Sequence, residues 1–301
     1  MGRLTAIVLG AAAGGGFPQW NCRCAVCRLA WAGDPRVRAR TQASLAVSTD
    51  QRGWVLLNAS PDLRAQIATN SMLQPQAEPR GSPIVAVVLT GAEVDQVAGL
   101  LTLRERQSFV LYATDDTLDA VTANPIFGVL APDVVCRKPV ALGQRFVAAP
   151  DMQMELFAVP GKLPLYLEGE NPALAIEGEA NVGVEVQADG KRLVYVPGAA
   201  AITSDLKQRL AGADVILFDG TLFTDDEMIR AGTGNKTGRR MGHMPIAGND
   251  GTLAALTDVA TRRVFTHINN TNPILIAGSP ERQKVEAAGW EIAEDGLEIV
   301  L

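Results

Sequence analysis

The sequence predicts an α/β fold in which two mixed β-sheets pack face to face with helices outside, an αββα sandwich. Three observations carry that expectation. Short β-branched runs recur along the whole chain. Helical stretches separate them into pairs and triples, without the regular beat of a strand–helix–strand series. The 301 residues are 47% hydrophobic with a mean hydropathy of +0.11, enough apolar material for a large buried core. No linker, repeat or low-complexity tract interrupts the pattern, so residues 1–301 read as one domain.

The first strand reads at 4–9. Met1-Gly2-Arg3 and the apolar run up to Ala13 also have the outline of a short secretory signal. The run enters the turn Gly14-Gly15-Gly16 with no mature start beyond it, so a buried strand is expected. Further strands read at 43–47, 54–58, 84–90, 109–113, 154–159, 182–186, 192–196, 215–219 and 263–267. Two Asp-Gly pairs predict hairpins, Asp189-Gly190 between 182–187 and 192–196, and Asp295-Gly296 between 290–293 and 297–300. Helices read at 61–69, 94–104, 204–210, 252–259 and 279–288, the last with a serine cap and proline in its first turn. Asp225-Asp226-Glu227 reads as the solvated acidic start of another helix, and 168–180 as a polar surface excursion.

Acidic residues outnumber basic ones, 33 to 27, for a net charge of −6 and a pI near 5.1. Nothing in that balance draws the chain to nucleic acid or to an anionic membrane. No apolar run approaches the roughly 18 residues of a spanning helix, so a soluble, cytoplasmic protein is expected. The most restrictive count is two histidines, His243 and His267. A site of three imidazoles cannot be built from them, which excludes carbonic-anhydrase-like and ordinary two-zinc hydrolase chemistry.

Three of the four cysteines fall within six residues, Cys22-Arg23-Cys24-Ala25-Val26-Cys27. That spacing is too tight for disulfides and suits a structural zinc knot of thiolates. Tetrahedral zinc needs a fourth ligand from elsewhere, and Cys136 is the sulfur candidate.

Four segments hold candidate chemistry. A strand ending at Leu89-Thr90 leads into a loop with Glu93, Asp95 and Gln96; Glu93 and Asp95 are hard oxygen donors for iron, manganese or magnesium, and Asp95 is equally suited to cap a helix. A carboxylate at the end of an apolar strand needs a partner or a cation, which singles out Asp219. The glycine-rich stretch 232–251 carries Lys236, Arg239, Arg240 and His243, and reads as a mobile binding loop whose cations grip carboxylates or phosphates. His267 closes a buried strand ahead of Asn269, Asn270 and Asn272. Two histidines with Asp219 or Asp95 match the two-His-one-carboxylate set of non-haem Fe(II) oxygen chemistry.

These motifs occur in a telling order: Gly14 through Cys22 with the cysteine knot, Arg40-Thr41-Gln42, Asn58-Ala59-Ser60-Pro61-Asp62, Asp219-Gly220-Thr221, Met241-Gly242-His243, and His267-Ile268-Asn269-Asn270-Thr271-Asn272-Pro273. Over nearly the whole chain they resemble the coenzyme PQQ synthesis protein B family. The resemblance implies a metallo-β-lactamase-like fold. Where that fold's metal motif reads His-x-His-x-Asp-His, this chain has Gly91, Glu93, Asp95 and Gln96, so its hydrolytic two-zinc site is gone. The resemblance also implies that Asn270 completes the zinc knot in place of Cys136, whose thiol is then expected to be buried and inert. Joined to the residue readings above, it leads to the expectation of Fe(2+) held by His243, His267, Asp219, Asp95 and Glu93, with Asp219, His243 and Asp95 catalytic and Lys236, Arg239 and Arg240 gripping substrate. The implied reaction is dioxygen-dependent hydroxylation of the tyrosine ring of a Glu–Tyr cross-linked, peptide-derived precursor in PQQ biosynthesis. Implied partners are other proteins of that synthesis and a second copy of the chain. A metal-dependent hydrolase, by analogy of fold, and a non-catalytic PQQ carrier are the competing classes.

Overall fold

In the computed structural model, which describes residues 3–76, 79–169 and 174–301, the strands form two seven-stranded sheets. The first holds β1 (Thr5–Gly10), β2 (Ser44–Ser48), β3 (Trp54–Leu57), β4 (Ile84–Val88), β5 (Phe109–Ala113), β6 (Val135–Pro139) and the last strand, β14 (Glu298–Val300), in the order β14-β1-β2-β3-β4-β5-β6. The second holds β7 (Arg145–Ala149), β8 (Met152–Ala158), β9 (Val182–Ala188), β10 (Lys191–Val196), β11 (Val215–Asp219), β12 (Arg262–Thr266) and β13 (Trp290–Ile292), in the order β13-β12-β11-β10-β9-β8-β7. Each sheet is antiparallel at one end and parallel at the other: β3 to β6 and β10 to β13 run parallel.

The inner parallel strands β3 and β11 are buried along their whole length, and so read as continuous apolar runs such as Val215-Ile216-Leu217-Phe218. One apolar layer, including Val8, Val47, Val184 and Leu217, lies between the sheets. Two others lie under the helices. Leu63, Val97 and Val121 seal the outer face of the first sheet from α2 (Leu63–Thr69), α3 (Val94–Val97) and α4 (Asp115–Ala123). Val26, Leu206 and Val285 do so on the second, from α1 (Ala25–Trp31), α5 (Ser204–Ala211) and α8 (Pro280–Ala287). The predicted sandwich is the fold observed. Short helices α6 (Glu227–Arg230) and α7 (Thr252–Ala255) complete the set. Among the described residues no helix is long and apolar enough to cross a membrane.

The Asp189-Gly190 hairpin forms, with both residues at positive φ. The second expected hairpin does not. β13 pairs with β12, β14 pairs with β1, and Asp295-Gly296 carries the chain from one sheet to the other. The Asp295 carboxylate serves that crossing by accepting from Ala11 N, Thr41 N and Thr41 Oγ1. Cys136 is exposed rather than buried, because β6 is an edge strand whose alternate side chains face out. Glu227 is not solvated: it is buried at the start of α6, satisfied by Phe223 N and Thr271 Oγ1. The helix expected at 94–104 continues past α3 as a 3₁₀ segment, and that expected at 252–259 ends at Ala255. Part of the 168–180 excursion, 170–173, and residues 1–2 of the weighed signal lie outside the described residues.

Candidate metal centres

Loops leaving β1, β4, β8, β10, β11 and β12 enclose a cavity of about 340 Å³. Asp219 ends β11, and its side chain is fully buried. Its four hydrogen bonds leave little spare capacity: Oδ2 accepts from Ala199 N at 2.8 Å and lies 2.7 Å from His243 Nδ1, and Oδ1 accepts from Thr221 N at 3.0 Å and Thr221 Oγ1 at 2.6 Å. His243 arrives on the glycine-rich stretch. Gly198 makes room for it, since a Cβ there would stand 3.3 Å from His243 Cε1. That stretch is tied down by backbone bonds, Met244 N to Ala199 O, Ile246 N to Leu222 O and Ala247 N to Phe223 O.

His267, just past β12, has Nδ1 2.8 Å from Thr221 Oγ1 and Nε2 3.0 Å from Asp95 Oδ2. Its ring stacks on that of His243 with centroids 5.1 Å apart. The N-cap of α3 is Glu93, not Asp95, which is the second residue of the helix and has its carboxylate beside His267. Burial alone would raise the Asp95 and Asp219 carboxyls; the histidines beside them more than offset this and hold both below the usual carboxylate range. Burial likewise pushes His267 down, but Asp95, Asp219 and Glu93 outweigh it and the imidazole is raised. Donor atoms of Asp219, His243 and His267 lie within 4.8 Å of one another.

Other expected site residues sit apart from this group. Glu93 lines the cavity but is ion-paired to Lys162 at 2.9 Å and accepts from Leu165 N. Lys236 lines the cavity with no carboxylate within ion-pair distance among the described residues. Arg239 instead pairs with Asp250 at the surface, and Arg240 with Glu168 at 3.3 Å, so the two guanidiniums expected to grip substrate are neutralised outside the cavity wall. Gly91, where the fold's motif has its first histidine, has no room for a side chain: a Cβ would meet Gln96 Oε1 at 2.7 Å and Ala180 O at 2.9 Å. Gln96 is occupied by Glu93 N and Thr90 Oγ1. Sequence reasoning missed Lys162 and the central Thr221 hydroxyl. The Asp-Gly-Thr run at a strand end was a signal for Thr221; nothing local marked Lys162.

The second group is the cysteine knot. Cys22, Cys24 and Cys27 bring their sulfurs within 4.8 Å of one another at the start of α1, where Cys24 is the N-cap. The Asn270 side-chain amide lies against all three, with Nδ2 at 3.1, 3.9 and 3.4 Å from Cys22, Cys24 and Cys27 Sγ. Turning that amide over would bring its oxygen to the same place as a fourth donor. Burial pushes the Cys27 thiol up to about 12, so a thiolate there calls for a compensating cation. Three convergent sulfurs and one amide fit tetrahedral zinc. Two imidazoles beside Asp95 and Asp219 fit a borderline or hard divalent ion such as Fe(II).

The β-lactamase superfamily domain matches residues 53–268. The chain is 57% identical over 296 residues to the coenzyme PQQ synthesis protein B of Methylorubrum populi, covering 98% of this chain and 99% of that one. It is 54% identical over 299 residues to the protein of that name from Rhizobium meliloti, covering 99% and 98%. The crystal structure of Zn(2+)-bound PqqB from Methylobacterium extorquens matches with a TM-score of 0.97 at 56% identity, over 99% of this chain and 100% of that one. A diphosphatase of the PhnP family shares the fold, at a TM-score of 0.70 and 19% identity over 99% and 97% of the two chains. Full-length identity at this level, on a shared sandwich, makes the chain a member of the coenzyme PQQ synthesis protein B family within the β-lactamase superfamily.

Proposed function

We propose that the chain serves PQQ synthesis as an iron-dependent oxygenase, hydroxylating the tyrosine ring of a Glu–Tyr cross-linked, peptide-derived precursor, with a separate zinc ion in the cysteine knot. The observation that carries this reading is the group at the cavity: two imidazoles with the partly buried Asp95 and the buried Asp219 beside them, and no third histidine in the chain. Zinc in the related PqqB structure supports a metal in this family. Iron(II) held by these residues would supply the chemistry of dioxygen reduction.

The chain's own residues prepare the cavity. Asp219 accepts from His243 Nδ1 and so turns Nε2 of that ring toward the cavity. Thr221, donating to Asp219 Oδ1, is free to accept from His267 Nδ1, and His267 Nε2 beside Asp95 Oδ2 would then be the atoms to hold the ion. In this arrangement Asp219, with both oxygens already engaged, orients a ligand, and Asp95 is the carboxylate donor. Lys236 meets a substrate carboxylate as a point charge. Inserting one oxygen atom into a ring C–H consumes O₂, two protons and two electrons and releases water, so the assay must include a reductant.

The experiment is anaerobic loading with Fe(II), addition of a synthetic precursor and ascorbate, then exposure to ¹⁸O₂, with product mass as the readout. One ¹⁸O per hydroxylation is expected. Turnover without dioxygen would establish hydrolysis instead. Unchanged turnover but lost product retention in His243→Ala and His267→Ala would favour a carrier.

A further inference from the structure

Between the two centres runs a strap, residues 267–272, buried along its whole length. It starts at His267, whose φ of +55° lies in the left-handed region that a side-chain-bearing residue holds only where its surroundings impose it. Part of that imposition is ordinary backbone bonding: Ile268 N donates to Ala11 O, Ala13 N to Ile268 O, and Asn269 N to Thr221 O. Two contacts are of another kind. The Asn270 amide is seated among the three cysteine sulfurs. At the next residue, Thr271 Oγ1 donates to the buried Glu227 carboxyl at 2.6 Å, while Asn269 Nδ2 donates to Thr271 Oγ1 at 2.6 Å. Asn269 itself lines the cavity.

We propose that the cysteine knot and Glu227 clamp this strap at its adjacent residues Asn270 and Thr271 and thereby position the His267 imidazole, so that metal loading of the knot and metal binding at the histidine pair are coupled. Asn270 and Thr271 are then positioning residues, three and four places along the chain from the ring they hold. Releasing either lets the strained φ relax and carries His267 Nε2 away from Asp95. Coupling of this kind is reciprocal: whatever factor a filled knot adds to affinity at the histidines, filled histidines add to the knot. The coupling half rests on the metal reading given above; the clamp on His267 does not.

Because the chain has only two histidines, its imidazole NMR spectrum contains two rings, assigned with His243→Ala. Thr271→Val removes one hydroxyl and no metal donor, and Asn270→Ala opens the knot side. In both, with folding checked by circular dichroism, the His267 resonances should shift and broaden. Co(II) affinity at the histidine pair should fall at least about fivefold, the low end of usual coupling factors. Thr271→Ser should restore both. If Asn270→Ala does not fold, Thr271→Val carries the test. Wild-type His267 resonances and Co(II) affinity in the folded variants would overturn the proposal. If wild type binds no Co(II) at the histidines, the metal reading of that centre fails, and the resonances alone decide the clamp.

Discussion

Replacing Glu227 by glutamine should remove a pH-dependent loss of stability that the native protein carries between about pH 4.5 and pH 7. Burial raises the Glu227 carboxyl from 4.5 to about 7, against the opposing pull of Thr271, the Phe223 and Thr224 backbone N–H groups and Arg230. Below the unfolded value both states hold the proton and the group contributes no slope. Through the interval the unfolded chain ionises first, so stability declines with rising pH, by about 3 kcal/mol in all at roughly 1.4 kcal/mol per pH unit. Above the folded value the curve is flat again. Urea unfolding of wild type and Glu227→Gln at pH 5, 6, 7 and 8 isolates the effect, because every other titrating group is common to both. The glutamine can still accept from Thr271 but faces Phe223 N–H with one bond fewer, which shifts its curve by a constant. Two curves that stay parallel across the range would refute the reasoning.

Lys236→Ala should raise KM for the precursor, whereas Arg239→Ala should leave it unchanged, since the exposed Arg239–Asp250 pair is worth no more than about 1 kcal/mol of stability. His243→Ala and His267→Ala should each lower Fe(II) affinity about tenfold or more by anaerobic titration, a floor set by what loss of a merely orienting partner costs. Asp219→Asn, which disturbs the His243 tautomer, should cost 10- to 100-fold in the same titration with the circular dichroism spectrum intact. Cys24→Ser should lower zinc content and melting temperature together; full stability with lost turnover would contradict a structural knot.

What could be read in the chain follows the range of the interactions involved. Strand ends were legible because a polar residue closing an apolar run, as at Asp219 and His267, is a local signal of cost that must be met. The cysteine cluster was legible from spacing alone. Asp295-Gly296 misled because an Asp-Gly pair reports a turn and not which sheet the next strand joins, a choice made by contacts with Ala11 and Thr41. Glu227 looked like an acidic first turn since Thr271, the group that allows its burial, is 44 residues away. Arg239 and Arg240 were indistinguishable from Lys236 by type and neighbourhood; only their carboxylate partners, on Asp250 and Glu168, separate them. Lys162 depends on Glu93, 69 residues earlier, and left no trace in its own surroundings.

The crossing at Asp295-Gly296 bears on how the molecule is made. β1 is synthesised before every other strand of the two sheets, yet the strand that covers its outer edge, β14, follows all of them: Thr5 pairs with Val300 and Ile7 with Glu298. Through most of synthesis that edge is open, a row of unpaired amides and carbonyls on an apolar strand. Nascent chains in a crowded polysome therefore face a window in which edge-to-edge pairing competes with completion, and closing the first sheet is a late event of high contact order.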